Sequence, residues 1–273
     1  MKRVIAIILV SLLVCLTGCG EKPQERADYN QLKQVDFGSL VENTNIHEEL
    51  TDALPTLKSW ICDSLNEKTY LDWEQFEKVA QIREFKSPEL VGNFASTTAF
   101  YVMTTDTIIV CPKFFEIENG GQRTYSLVHE TIHSLVGTGR KGEEKSMNLF
   151  IEGITDYLTY TVLEDSLEYD LTYKNEICCL AWLMSVYGTD IITEKICCGE
   201  ILDFIDEKSE IGNGSKIHEC LATIDQSTDQ QAVKEAVWTE MEILTEVSKN
   251  SPEPDLTWKL LEQFRQSYAP YLT

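Results

Sequence analysis

The residues with the clearest chemical potential are His129, Glu130 and His133, which form the pattern H-E-x-x-H. On an α-helix, residues four positions apart share one face, so both imidazoles can reach a single metal ion. Zinc binds such nitrogen ligands in a tetrahedral arrangement, and a catalytic zinc site keeps one position open for water. Glu130 is turned by about 100° from His129 around the helix. This places it beside the open position, where a general base is needed. The motif therefore predicts a catalytic zinc site.

Apolar residues around the motif predict that it lies on a partly buried helix. The stripe that they form consists of Leu127, Val128, Ile132, Leu135 and Val136. The chain has only four histidines, and two of them fall within the motif. The alternative is a core helix whose two histidines are satisfied without a metal, because H-E-x-x-H also occurs by chance.

A third metal ligand is predicted at Glu152, which follows His133 after eighteen intervening residues. The next predicted helix carries Glu152, and the three residues before it, Leu149, Phe150 and Ile151, are apolar. A carboxylate oxygen completes the usual three protein ligands of a catalytic zinc site. A solvated acidic residue in an acidic protein is the alternative.

Together these segments resemble the gluzincin metallopeptidases, the group that contains thermolysin and the membrane alanyl aminopeptidases. In that family H-E-x-x-H is followed by a glutamate ligand on the next helix. The spacing in this chain and the pair Glu152-Gly153 are similar to the aminopeptidase branch. The pair Thr155-Asp156 is similar to thermolysin, in which the corresponding aspartate is hydrogen-bonded to a zinc histidine.

The resemblance implies a role for each residue of the site. Zinc is bound by His129, His133 and Glu152, and Glu130 is the general base of peptide hydrolysis. Asp156 lies one helical turn after Glu152, where it can support a zinc ligand. The oxyanion of the reaction needs a further donor, which in gluzincins is a histidine or tyrosine from the C-terminal side. The candidates in this chain are His218, Tyr157, Tyr160, Tyr169 and Tyr173.

Residue types exclude two related groups of enzymes. A metzincin would have glycine at position 136 and histidine at position 139, whereas this chain has Val136 and Gly139. An alanyl aminopeptidase would carry the segment G-x-M-E-N, which holds the free amine of its substrate, and this chain has no such segment. The missing segment therefore favours an endopeptidase or an unusual specificity.

The order of elements predicts an α+β, zincin-like fold. A small β-sheet or hairpin and the active-site helix come first, and a helical C-terminal lobe follows. Thr97–Met103 and Thr107–Cys111 predict the hairpin. Either strand could be the edge strand with which an extended peptide pairs in zincin-like folds, or both could be core. Helices are predicted over 48–65, 73–85, 123–136, 147–163, 175–187, 191–205, 215–224, 230–247 and 256–268.

The N-terminus predicts export and lipid anchoring. Two basic residues, Lys2 and Arg3, precede an apolar run, Val4–Leu16, that is too short to span a bilayer. The run ends in Leu16-Thr17-Gly18-Cys19, which resembles the lipobox of bacterial lipoproteins. This resemblance implies cleavage before Cys19 and a diacylglycerol on that cysteine, which anchors the protein at the extracytoplasmic face of the cell membrane. An ordinary secretory signal is the alternative.

The sequence predicts four regions, and its net charge narrows the classes of possible partner. The predicted regions are a signal peptide over 1–18, a lipidated tether over 19–35, a zincin-like catalytic region over 36–165 and a helical lobe over 166–273. The formal net charge of −22 disfavours nucleic acid as a partner, because an acidic surface repels a phosphate backbone. The expected partners are a peptide or protein substrate and, through acylated Cys19, the lipid membrane.

Nine cysteines are many for an exported chain of this kind. After Cys15 and Cys19, seven remain, and an odd number cannot all pair within one chain. The adjacent pairs Cys178-Cys179 and Cys197-Cys198 fit disulfides between helices or buried small hydrophobic residues equally well. Two alternatives to a peptidase stay open: a thiol-redox lipoprotein, and a metal-binding or adhesive surface lipoprotein without turnover.

Overall fold

The computed structural model describes residues 45–85, 97–137, 148–163, 172–209 and 213–249. Helices dominate this part of the chain, and a four-stranded sheet accompanies them, so the predicted mixed α+β class is confirmed. None of these helices combines the length and the apolar character needed to cross a bilayer. The signal peptide, the lipidation of Cys19, the tether and the last predicted helix, 256–268, lie outside the described residues.

The described residues divide into two compact units. The sheet unit contains residues 45–85, 97–137 and 157–163. The helical unit contains residues 148–156, 172–209 and 213–249. One helix therefore contributes residues to both units.

The sheet has the strand order β1-β2-β4-β3. Its strands are β1 Asn45–Ile46, β2 Gln81–Glu84, β3 Ala99–Val102 and β4 Thr107–Val110. β3 and β4 are antiparallel and form the predicted hairpin, whereas β2 runs parallel to β4 and antiparallel to β1. β4 lies inside the sheet and all of its residues are buried, which leaves β3 at one edge.

The predicted helix over 73–85 is wrong in its second half. A short helix, α2 Trp73–Lys78, begins where the Asp72 side chain accepts the Gln75 N–H, and the chain then becomes extended at Val79 and enters β2. Apolar residues three positions apart gave this segment a helical pattern. Pairing with β4 decides the outcome, because it buries Ile82 completely opposite Ile108.

Three further helices of the sheet unit are α1 Glu48–Leu65, α3 Pro112–Glu116 and α4 Gly120–Val136. The bounds predicted for α1 are confirmed, whereas α3 was not predicted. α4 begins three residues before the predicted start, because the Asn119 side chain accepts the backbone N–H groups of Gly121 and Gln122. At its other end, Gly137 adopts a positive φ of 73°, which stops the helix.

The helical unit contains the first part of α5 Asn148–Leu163 and the five helices that follow it. Residues 157–163 of α5 belong to the sheet unit. The five helices are α6 Lys174–Tyr187, α7 Thr189–Cys197, α8 Ile201–Lys208, α9 Gly214–Gln226 and α10 Gln230–Val247. The predicted single helix over 191–205 is wrong. It is divided between Cys197 and Ile201, where Gly199 has a φ of +76° that a right-handed helix cannot contain.

α5 and α6 approach each other closely at Gly153. A Cβ atom at Gly153 would lie 2.7 Å from the Cβ of Glu176 and 3.0 Å from Leu180 Cδ1. Asp156, one turn later and fully buried, accepts the backbone N–H groups of Thr172 and Tyr173 at 3.1 and 2.7 Å. These bonds satisfy donors at the start of α6, where no side chain of the N-cap residue does so.

Replacing Gly153 by alanine is expected to lower the free energy of unfolding by about 1–3 kcal/mol, because α6 must move to admit the methyl group. Gly120→Ala is the matched control, since nothing lies within 4 Å of the Cβ position at Gly120. Urea denaturation followed by circular dichroism measures both effects. Equal stability of the two variants would contradict the close approach of α5 and α6.

A carboxyl group is fully buried in the helical unit. Glu240 on α10 has zero exposure, and the Cys179 thiol lies beside its carboxyl group. Burial raises the pKa of Glu240 well above its usual 4.5, and the Cys179 thiol beside it offsets only part of this effect. Glu240 therefore keeps its proton in the folded state at pH values where the unfolded chain has lost it.

Protonation of Glu240 stabilises the fold fully below the unfolded pKa, and this contribution is lost as the pH rises towards the folded pKa. The melting temperature of the wild type is therefore expected to fall, as the pH rises above about 5, more steeply than that of Glu240→Gln. Thermal denaturation over this range measures the difference. Glu242→Gln, an exposed position on the same helix, should keep the wild-type slope. Parallel slopes for Glu240→Gln and wild type would contradict the raised pKa.

Candidate metal centre

The motif helix α4 brings His129, Glu130 and His133 together. Both histidines are buried, with exposures of 6% and 8%, and Glu130 is half-buried. The two Nε2 atoms face each other at 3.1 Å, and the imidazole planes are nearly perpendicular, at 82°. One ligand atom from each of the three residues lies within 4.8 Å of the others. The structure therefore contains a His-Glu-His group that could hold a metal ion.

The distance between the two histidine nitrogens fits a shared metal. Two nitrogen ligands of one tetrahedral zinc ion, each bonded at about 2.0–2.1 Å, lie about 3.3 Å apart. The observed 3.1 Å differs from this value by a few tenths of an ångström. The same distance fits a hydrogen bond between two neutral imidazoles, which is the metal-free alternative. Nitrogen and carboxylate ligands together suit zinc better than calcium or magnesium, which prefer oxygen.

The local sequence explains why α4 presents these side chains. The predicted apolar stripe is buried along its whole length, from Leu127 to Val136, and fixes the rotation of the helix. The hydroxyl groups next to the histidines are bonded within the helix, because Thr131 donates to the Leu127 carbonyl and Ser134 to the Thr131 carbonyl. The Tyr125 ring lies one turn before His129, with ring centroids 5.9 Å apart.

The main chain of β3 contacts Glu130. The Tyr101 N–H donates to Glu130 Oε2 at 2.8 Å. Cys111 donates its N–H to the Thr98 carbonyl, so the main-chain groups of Thr98 face β4. Alternation along the strand then turns the main-chain groups of Ala99 and Tyr101 away from β4, although Ala99 itself is buried, with 5% exposure. The sequence did not predict the contact with Glu130, because it uses a backbone group that every residue except proline carries.

Three further predicted site residues, Glu152, Asp156 and His218, lie in the helical unit, and their roles stay predictions. Glu152 is half-buried on α5, and Asp156 is fully buried on the same helix. The His218 ring on α9 lies 6.4 Å from that of Phe150, and burial lowers its pKa. Phe150 and Glu152 are two positions apart on α5, so their side chains point about 200° apart around the helix. His218, which lies near Phe150, therefore approaches a different face of α5 from the one that carries Glu152.

The tyrosine candidates differ in their placement. Tyr157 and Tyr160 are half-buried on α5, Tyr173 immediately precedes α6, and Tyr169 lies outside the described residues. The fourth histidine, His47, precedes α1 and stacks on Phe115, with ring centroids 5.4 Å apart. It belongs to the opposite end of the sheet, beside β1, and we assign it no chemical role.

The cysteines give little support to thiol chemistry. No disulfide joins the seven cysteines between Cys62 and Cys220, all of which lie in the described ranges. Burial raises the pKa of Cys111 and of Cys197 to about 12 and that of Cys220 to about 11. These thiols stay protonated near neutral pH, and a protonated thiol is a poor nucleophile for disulfide exchange.

Comparison with known proteins adds no relative: no protein-family model, no curated protein and no solved structure matches this chain. The resemblance to gluzincins therefore rests on the motif residues and their spacing. The structure adds to it the buried histidine pair and the adjacent carboxylate of Glu130.

The full chain, purified without chelator and incubated with zinc, is expected to hold one zinc ion. Alanine at His129 or His133 should remove it, and the predicted ligand role of Glu152 requires the same of Glu152→Ala, whereas His47→Ala should retain it. At a zinc concentration 1,000-fold above the dissociation constant, binding stabilises the folded state by about 4 kcal/mol. Elemental analysis and thermal denaturation measure both quantities. A wild-type chain that binds no metal would mean that the two Nε2 atoms share a hydrogen bond instead.

Proposed function

We propose that this chain is a zinc-dependent endopeptidase of the gluzincin type, anchored to the extracytoplasmic face of the cell membrane through acylated Cys19. The observation that supports the proposal most strongly is the carboxylate of Glu130 beside two buried histidine nitrogens that face each other at 3.1 Å. A structural zinc site closes all four positions with protein ligands and needs no base. Two histidines with an adjacent glutamate fit a catalytic site better.

The proposed chemistry divides into the part of the metal and the part of the chain. Zinc, when bound by His129, His133 and Glu152, supplies Lewis acidity towards the peptide carbonyl and lowers the pKa of water. Glu130 takes the proton of the attacking water and passes it to the leaving amine. The Tyr101 N–H holds Glu130 Oε2, so the carboxylate keeps one orientation during both transfers.

β3 is an edge strand of the described sheet, and we propose that an extended substrate peptide adds to it. The main-chain groups of Tyr101 point away from β4, and its N–H contacts Glu130, so such a peptide would pass close to the proposed base. Recognition by main-chain hydrogen bonds needs no free substrate terminus, which favours cleavage within a chain over removal of terminal residues.

The N-terminal sequence supports the proposed location. A basic start, a short apolar run and the lipobox-like Leu16-Thr17-Gly18-Cys19 together direct a bacterial chain across the membrane and leave it attached by acyl chains. An enzyme held there would act on peptides or proteins that are themselves exported or displayed at the cell surface.

Replacing Glu130 by glutamine should lower hydrolysis of fluorescently labelled casein by about 10²- to 10⁴-fold, the usual contribution of a general base. The amide cannot take up the proton, yet it nearly preserves the shape of the side chain. Elemental analysis should still find one zinc ion per chain. Glu118→Gln, at an exposed position just before α4, is the matched control and should keep full activity.

Two results would overturn the proposal. Equal cleavage by wild type and Glu130→Gln would show that Glu130 is not the base. A wild-type chain that binds zinc but cleaves neither casein nor a pool of extended peptides would instead support a metal-binding or adhesive lipoprotein.

A further inference from the structure

Three polar side chains of the sheet unit bind one another near Glu130. The amide of Gln75 on α2 donates to the Tyr101 hydroxyl at 2.8 Å and to the carboxylate of Asp106. The Tyr101 hydroxyl lies 3.3 Å from the same oxygen of Asp106, to which it can donate. All three residues are half-buried. They come from a helix, an edge strand and the hairpin turn, so their bonds fix these elements to one another.

β3 and the start of α2 each form a hydrogen bond with α4. Tyr101 contacts α4 through its N–H, which donates to Glu130. At the other end, the residue before α2, Asp72, donates its N–H to the Leu135 carbonyl at 2.8 Å. A closed path of contacts therefore runs from Glu130 through Tyr101 and Gln75 back to the end of α4.

The hairpin turn is shaped to present Asp106. This residue has a φ of +50°, and no other non-glycine residue in the described ranges has a positive φ. Aspartate and asparagine adopt this left-handed conformation at lower cost than most residues. Burial, followed by the charge of Asp106, raises the pKa of Tyr101 above its usual 10, so the hydroxyl keeps the proton that it shares with Asp106.

We propose that Gln75, Tyr101 and Asp106 form a hydroxyl clamp that positions the carboxylate of Glu130 for proton transfer. The clamp holds the Tyr101 side chain, the side chain fixes the strand, and the strand holds Glu130 Oε2 through its N–H. The three residues are positioning residues and need not touch the substrate. The proposal rests on the proposed peptidase function, and it gives a role to the bonded hydroxyl of Tyr101 on β3.

Tyr101→Phe tests the clamp, because it deletes the hydroxyl and keeps the backbone N–H. With a quenched peptide designed around a bond that wild type cleaves in casein, kcat should fall about ten-fold, the effect of losing one or two hydrogen bonds. KM should stay within about two-fold, and zinc content should not change. Asp106→Asn retains an acceptor oxygen and tolerance of positive φ, so it should keep kcat close to that of wild type.

Tyr187→Phe is the matched control. Tyr187 is also half-buried, and its hydroxyl donates to the Val247 carbonyl in the helical unit. This variant loses a tyrosine hydrogen bond of the same kind outside the clamp. Its kcat should equal that of wild type.

Hydrogen exchange of the residue-101 amide provides a readout that needs no substrate. Exchange should accelerate about ten-fold in Tyr101→Phe and also in Glu130→Gln, because each loosens the bond between strand and carboxylate. It should stay unchanged in Tyr187→Phe.

The outcomes separate the clamp from the proposed function. Unchanged kcat and unchanged exchange in Tyr101→Phe would overturn the clamp, while Glu130→Gln still decides the peptidase function. Loss of zinc, or a rise in KM that matches the fall in kcat, would overturn it too, since Tyr101 would then act on folding or binding. If wild type cleaves nothing, the peptidase function fails, and the exchange rates alone decide whether the hydroxyl holds the strand against Glu130.

Discussion

Two imidazole nitrogens that face each other inside the sheet unit are the constraint on which the site depends. Polar atoms in a buried position must be paired, or the fold loses stability. A shared cation and a shared proton are the two ways to satisfy both nitrogens at 3.1 Å. In either case His129 and His133 have to stay on one face of α4, and the burial of the stripe from Leu127 to Val136 enforces that orientation.

The position of Glu130 follows from the same helix but has a different support. A half-buried carboxylate can adopt several rotamers, and a hydrogen bond to one of its oxygens restricts them. The Tyr101 N–H supplies the restriction, and it can do so because β3 lies at the edge of the sheet. An interior strand such as β4 has no main-chain donor left for a neighbouring side chain, since both of its sides pair with other strands.

Residue type and spacing predicted the parts of this structure that depend on local pattern. The motif helix, its buried stripe, the β3–β4 hairpin and the helices α1 and α10 are of this kind. The failures have tertiary causes. Apolar residues at helical spacing around Ile82 predicted a helix, but parallel pairing with β4 places Ile82 in a strand. The contact between Tyr101 and Glu130 could not be predicted from residue type, because any residue with a backbone N–H could make it.

The edge position of β3 has a further consequence for the behaviour of the protein in solution. An exposed strand edge is a template on which strands of other molecules can add, and this is a common origin of aggregation. At Tyr101 the outward donor is already bonded, and a carboxylate lies in the path of an incoming strand. Charge placed at a strand edge is a general means of preventing unwanted pairing. A carboxylate held at this point would therefore disfavour pairing of a strand from a second copy at Tyr101.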